Sequence, residues 1–131
     1  MSKTDWQAGV TSNYGYDAIY ELTSVLQGAN TTESFSCDPV GNRLSSLGLS
    51  PYSYNASNEL TSTPSTTYAC DLKGNAVTKN DSTGITTYAW DFENRLTSVT
   101  PPGSAGTVSF LYDPFGRRIE KTSTAGTSIY A

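Results

Sequence analysis

Histidine is absent from this chain of 131 residues. Its absence removes the commonest general base at neutral pH, the triads built on it and the commonest metal ligand. Cysteine occurs only as Cys37 and Cys70, too few for a disulfide framework or for a zinc site of their own. Charge is sparse as well: charged residues make up 15% and the formal net charge is −4. Of the 8 basic residues only Arg117 and Arg118 adjoin. They form no basic stripe, which argues against nucleic-acid binding and against a membrane-surface helix. No apolar run approaches the roughly 20 residues of a membrane-spanning helix. Residues 1–10 lack the apolar stretch of a secretory signal. Either the chain is cytosolic or it is part of something longer.

Serine, threonine, glycine and asparagine fill the space left by charge and by a hydrophobic share of 36%. Such a composition suits strands with one buried and one wet face better than a thick helical core. The 9 Tyr and 2 Trp are then the main source of apolar burial.

They recur in register. Six residues serve as anchors: Asp17, Asp38, Asn55, Asp71, Asp91 and Asp113. Three positions before each stands Tyr14, Phe35, Tyr52, Tyr68, Tyr88 or Phe110. One position before stands Tyr16, Cys37, Tyr54, Cys70, Trp90 or Tyr112. Five or six positions after stands Leu22, Leu44, Leu60, Val77, Leu96 or Ile119. Six copies in register imply a repeat architecture in which each unit buries its face against its neighbours.

Each copy reads as a β-hairpin. The period of two puts the paired aromatics on one face of the first strand, as in Tyr88-Ala89-Trp90. The anchor opens a tight turn, because an Asx side chain accepts backbone N–H groups just ahead of it. Two turn lengths are expected to alternate. Gly41, Gly74 and Gly116 stand at anchor +3 in one set, with the aliphatic at +6; Tyr20, Asn58 and Asn94 stand there in the other, with the aliphatic at +5. A glycine there points to a positive φ, which Asn tolerates and Tyr does not. Copy one is therefore expected to be the least regular. Second strands are expected from Leu22, Arg43, Leu60, Ala76, Arg95 and Arg118. Three of them place aliphatics three apart (Leu22 and Val25, Leu44 and Leu47, Leu96 and Val99), which points to a bulge or a bent strand. Breakers such as Gly28, Pro64, Gly84, Pro101-Pro102-Gly103 and Gly126 mark the linkers and argue against helix.

The expected fold is all-β: tandem antiparallel hairpins stacked into a twisted sheet or short spiral, a partial shell or barrel-like wall, without significant helix. One repeat domain over residues 1–131 is expected, cut at both ends. Cys37 and Cys70 share one column; either they are small buried hydrophobes or they bridge stacked strands.

The string Phe110-Leu-Tyr112-Asp113-Pro114-Phe115-Gly116-Arg117-Arg118-Ile119 resembles the YD repeat of Rhs proteins, roughly Tyr-x-Tyr-Asp-x-x-Gly-Arg-Leu. Phe35 to Leu44 and Tyr88 to Leu96 are similar to the same form. The resemblance covers about Thr11 to Ala131, with departures at Asn55, Cys37, Cys70, Glu21 and Glu59. It implies a segment of the spiral shell that is similar in Rhs proteins, the C component of insecticidal toxin complexes and teneurins. In the bacterial members that shell encloses a toxic segment, so further YD repeats and an enclosed toxin are the implied partners, and a secreted or cell-surface parent the implied location. Tyr130 resembles the opening of a seventh copy, while Val10 is expected to enter copy one with no capping element. Uncapped arrays leave strand edges unpaired. The isolated chain is expected to self-associate through them or to close its sheet on itself.

Two readings compete for function. In the first the chain is structural, with no cofactor, no metal and no catalytic group; its working residues are the repeat positions, Gly41, Gly74 and Gly116 included. In the second it is a small carboxylate-based hydrolase, glycosidase-like or esterase-like, using Asp91 and Glu93 with Asp71 or Asp113 nearby, or a carbohydrate or ligand module using Tyr20, Phe92 and Phe115. Six equivalent turn-formers are poor catalytic candidates, and Asp38 to Asn42 and Asp71 to Asn75 lack the spacing of a calcium loop.

Overall fold

The computed structural model describes residues 2–5 and 9–130. Among them there is no helix. Fourteen strands follow one another: β1 (Ser2–Asp5), β2 (Val10–Tyr16), β3 (Leu22–Gln27), β4 (Asn30–Cys37), β5 (Arg43–Ser46), β6 (Ser53–Tyr54), β7 (Leu60–Thr63), β8 (Thr66–Cys70), β9 (Ala76–Asp81), β10 (Gly84–Trp90), β11 (Leu96–Thr100), β12 (Val108–Tyr112), β13 (Arg118–Ser123) and β14 (Gly126–Ile129). They form two antiparallel sheets whose order is chain order, β1 to β5 in one and β6 to β14 in the other, and neither closes into a barrel. The expected closure of the sheet on itself does not occur. The chain divides into two compact units, residues 1–64 and 65–131.

Within each unit the hairpins are those the repeat predicts. β2–β3, β4–β5 and β6–β7 flank the turns at Asp17, Asp38 and Asn55; β8–β9, β10–β11 and β12–β13 flank those at Asp71, Asp91 and Asp113. β1 pairs with β2, Ser2 opposite Asn13. Copy one is therefore preceded by a paired strand, which corrects the expectation of a bare entry at Val10. Nothing in the composition of Ser2–Asp5 marks it as a strand; the partner supplies the order.

The three-apart aliphatics have one cause, and it recurs in every copy. The residue at anchor −1 pairs with the residue at anchor +5, and the residue at −2 pairs with +7: Tyr16 with Leu22 and Gly15 with Ser24, Trp90 with Leu96 and Ala89 with Ser98. Position +6 is skipped each time, at Thr23, Leu44, Thr61, Val77, Thr97 and Ile119. An extra residue in one strand is a β-bulge, which bends that strand and increases its twist. The bulge preferred from sequence is present, and in six hairpins rather than three.

It also overturns the alternating turn length. In all six copies the N–H of the anchor donates to the C=O at +4, and the N–H at +3 donates to the anchor C=O. The turns are the same length. What alternates is the aliphatic, which sits on the bulged residue in copies two, four and six and on its neighbour in the others. Copy one keeps the common turn as well. Tyr20 adopts a φ of 66° where Asn58 and Asn94 have 60° and 61°, so the bonds of the turn override the steric cost of a bulky left-handed residue.

No described side chain is fully buried. The sheets are thin, and burial is shared along the aromatic columns. Tyr68, Tyr88 and Phe110 are half-buried, and so are Cys70, Trp90 and Tyr112, while Ala69, Ala89 and Leu111 between them are exposed. Cys37 and Cys70 are half-buried thiols and are not bridged.

Candidate functional site

The repeated turn is the most conserved geometry inside this chain. The anchor Oδ1 accepts the N–H groups at +2 and +4, at 2.8–3.0 Å in every copy. Asn55 does with an amide oxygen what the five aspartates do with a carboxylate, as an Asx turn allows. In four copies the second oxygen accepts from the side chain at +4. Asn42 Nδ2 donates to Asp38 at 2.9 Å and Asn75 Nδ2 to Asp71 at 3.1 Å. Arg95 Nε donates to Asp91 at 2.6 Å and Arg117 Nε to Asp113 at 2.7 Å.

These bonds set the electrostatics. The Asn42 side chain, with the N–H groups of Asn42, Val40 and Gly41, outweighs the opposing desolvation and holds the Asp38 carboxyl below the usual carboxylate range. Asn75 does the same at Asp71. At Asp91 and Asp113 desolvation works upward, and it is outweighed by the backbone N–H and guanidinium of Arg95 and Arg117. A carboxylate held ionised by hydrogen bonds to its charged form has no proton to give near neutral pH. Glu93, the other half of the acid/base pair considered from sequence, binds Arg95 Nη1 at 2.7 Å. The structure thus brings Asp91 and Glu93 together around one guanidinium, facing a cation rather than a cavity. Among the described residues no cluster of three or more His, Cys, Asp or Glu is placed to hold a metal.

Neighbouring hairpins are tied through the aromatic columns read from the sequence, by hydrogen bonds the sequence did not reveal. The polar aromatic at anchor −1 donates to the C=O at +5 of the preceding copy: Tyr54 to Arg43 at 2.9 Å, Trp90 Nε1 to Ala76 at 2.8 Å, Tyr112 to Leu96 at 2.9 Å. Within a hairpin, Arg43 lies 4.7 Å from the centre of the Phe35 ring and Arg118 lies 5.4 Å from that of Phe110. Both pairs join +5 to −3, so Arg at +5 was the available signal. The turn aromatics considered for ligand binding stand apart from this packing: Tyr20 is 88% exposed, Phe92 80% and Phe115 85%.

An ordered series of antiparallel hairpins closed by one recurrent Asx turn defines a β-repeat protein. The comparisons place it further. The family model of the teneurin YD-shell matches residues 3–130, and the chain belongs to that family. It is 30% identical, over 86% of its length, to the double-stranded DNA deaminase toxin A of Burkholderia cenocepacia (strain H111), and 29% identical, over 88%, to the tRNA nuclease WapA of Bacillus subtilis (strain 168). It spans 10% and 5% of those two proteins. In fold it is similar to a chain of the Photorhabdus luminescens Tc holotoxin pore carrying a TccC3 mutation, with TM-score 0.65 and 16% identity over 99% of this chain and 9% of that one. It is also similar to a chain of the TcdB2-TccC3-Cdc42 complex, with TM-score 0.61 and 16% identity over 99% of this chain and 9% of that one. Membership of the YD-shell family supports reading the chain as a structural shell segment, and the solved structures share its fold.

Proposed function

We propose that the chain is building material for an Rhs-type encapsulating shell and has no catalytic activity of its own. The observation that carries this reading is the uniform use of the anchors. Each of the six spends Oδ1 on the same two backbone N–H groups. A catalytic carboxylate is set apart from its equivalents by its environment; here the turn backbone meets all six anchors alike. The partners on this reading are further YD repeats, reached through the exposed edge at β14, and a toxic segment enclosed by the assembled wall. The parent protein is secreted or displayed at a cell surface. Hydrolysis of chromogenic glycosides and esters by the purified chain, abolished by Asp91→Asn with the fold intact, would overturn the proposal; no turnover by either protein is expected. Light scattering is expected to show self-association through strand edges, and a monomer at all concentrations would remove that part.

A second reading draws on Leu72, Phe92 and Phe115. These three stand in successive turns of the second unit, at 108%, 80% and 85% exposure. Apolar side chains exposed in successive turns would make a contact surface where they adjoin. Titration with oligosaccharides, read by aromatic fluorescence, separates a sugar-binding row from one that meets protein.

A further inference from the structure

We propose that the residue at anchor +4 is the pairing determinant between adjacent hairpins, and that it reads the residue at anchor +3 of the hairpin that follows. The proposal rests on the shell reading, since it says which hairpin each hairpin accepts as its neighbour in the wall.

Asn42 and Asn75 each use both protons of one amide nitrogen. One goes to the anchor of their own turn; the other goes to the Oδ1 of Asn58 or Asn94, at 3.0 Å in both cases. A primary amide has two donors, and both are spent. The acceptors are the two asparagines held at positive φ. Asparagine is thus present at +3 in copies three and five for two reasons. It tolerates the left-handed backbone, and it offers an oxygen that glycine lacks.

The other junctions within each unit use other pairs. In copy one the +4 residue is Glu21, and the following +3 residue is Gly41. A β-carbon on Gly41 would lie 3.4 Å from Glu21 Oε1. A carboxylate has no proton to offer an amide oxygen, and it lies against the one residue that presents no side chain. In copy five the +4 residue is Arg95 and the following +3 residue is Gly116. With no side chain to meet there, the guanidinium reaches further, to the C=O of Asp113 at 3.3 Å and to 5.2 Å from the centre of the Tyr112 ring. So amide reads amide, and a charged +4 side chain is followed by a glycine at +3 of the next hairpin. The alternation of Gly with Asn or Tyr at +3 records which neighbour each hairpin accepts.

Arg117 holds the same bond to its own anchor as Arg95 does, yet its side chain is 77% exposed against 24%. Its guanidinium turns back over Phe115, 5.7 Å from the ring centre.

A double-mutant cycle on the full chain tests the rule in the second unit. Asn94→Gly keeps the left-handed backbone and removes only the acceptor; Asn75→Ala removes the donor. Denaturant unfolding of the two single variants and the double is expected to show a coupling of about threefold to fivefold in the folding equilibrium constant, the size of one hydrogen bond. Asn75→Ala combined with Asn58→Gly, which are not partners, is expected to be additive. The Asn75 side-chain amide resonances should shift in Asn94→Gly and stay in place in Asn58→Gly. Additive behaviour of Asn75 with Asn94, with both amide resonances unmoved and the β-sheet spectrum intact, overturns the rule and leaves the shell reading standing. Loss of the shell reading has a different signature, a far-ultraviolet spectrum of the unaltered chain without β-sheet.

Discussion

The turn at Asp17–Glu21 and the turn at Asp91–Arg95 close with the same bonds, yet the first holds a tyrosine at +3 where the second holds an asparagine. Tyr20 sits at φ 66° and Asn94 at 61°. The anchor therefore dictates the backbone, and the +3 side chain is accommodated. The two turns differ in what else their hairpins do. Asn94 accepts a hydrogen bond from the preceding hairpin, whereas Tyr20 projects into solvent at 88% exposure. Four positions back, at anchor −1, the contrast repeats. Trp90 is half-buried and bonded to Ala76, while the equivalent Tyr16 is 46% exposed. Copy five is a link between neighbours, and copy one keeps the hairpin form with its Tyr16 and Tyr20 side chains more exposed.

The largest effect should come from the aromatic at −1. Trp90→Ala removes a half-buried indole and its bond to the Ala76 carbonyl, and is expected to cost about 2–4 kcal/mol in denaturant unfolding. Tyr16→Ala should cost less than half as much. Equal costs would end the contrast between the copies and leave the aromatic column a matter of area alone.

Exchange at +3 comes next. Asn94→Tyr combines left-handed strain with loss of the Asn75 bond, and a destabilisation of about 1–2 kcal/mol is expected. Tyr20→Asn relieves strain at an exposed site and is expected to stabilise by about 0.5–1 kcal/mol, seen as a raised thermal midpoint. If Tyr20→Asn destabilised instead, the tyrosine would be making a contact that its exposure denies.

These substitutions bear on what was legible beforehand. The six anchors, the strand pairs around them and the absence of helix could be read from Tyr-x-Tyr-Asp spacing, because Asx turns and period-two strands are local. The turn length was misread because a fixed aliphatic column was assumed. A bulge at +6 lets the aliphatic move between +5 and +6 without moving the backbone, as Leu44 and Leu96 show. The ties between hairpins were not legible. Trp90 to Ala76 and Asn75 to Asn94 join residues 14 and 19 positions apart, and only folding brings such pairs together. β1 was missed for a related reason, since Ser2–Asp5 owes its conformation to β2.

The smallest effect distinguishes the anchors by pH. The carboxyls of Asp38, Asp71, Asp91 and Asp113 lie below the usual carboxylate range in the folded chain. A depressed folded pKa contributes stability that is present above the unfolded value, about 3.9 for Asp, and is lost as pH falls through the folded value. The thermal midpoint should therefore be level between about pH 7 and 5 and decline below about pH 4. Asp71→Asn should flatten that decline, because an amide oxygen still accepts the N–H groups of Lys73 and Asn75 but no longer titrates. Asn55 shows that the turn closes on an amide. The substitution also sets an amide against Asn75 Nδ2, which then needs an acceptor at the second position, so a small loss at neutral pH should accompany the flatter acid limb. A decline equally steep in Asp71→Asn would assign acid unfolding to other groups, with Asp81, depressed by its hydrogen bond to Lys79, the first to substitute.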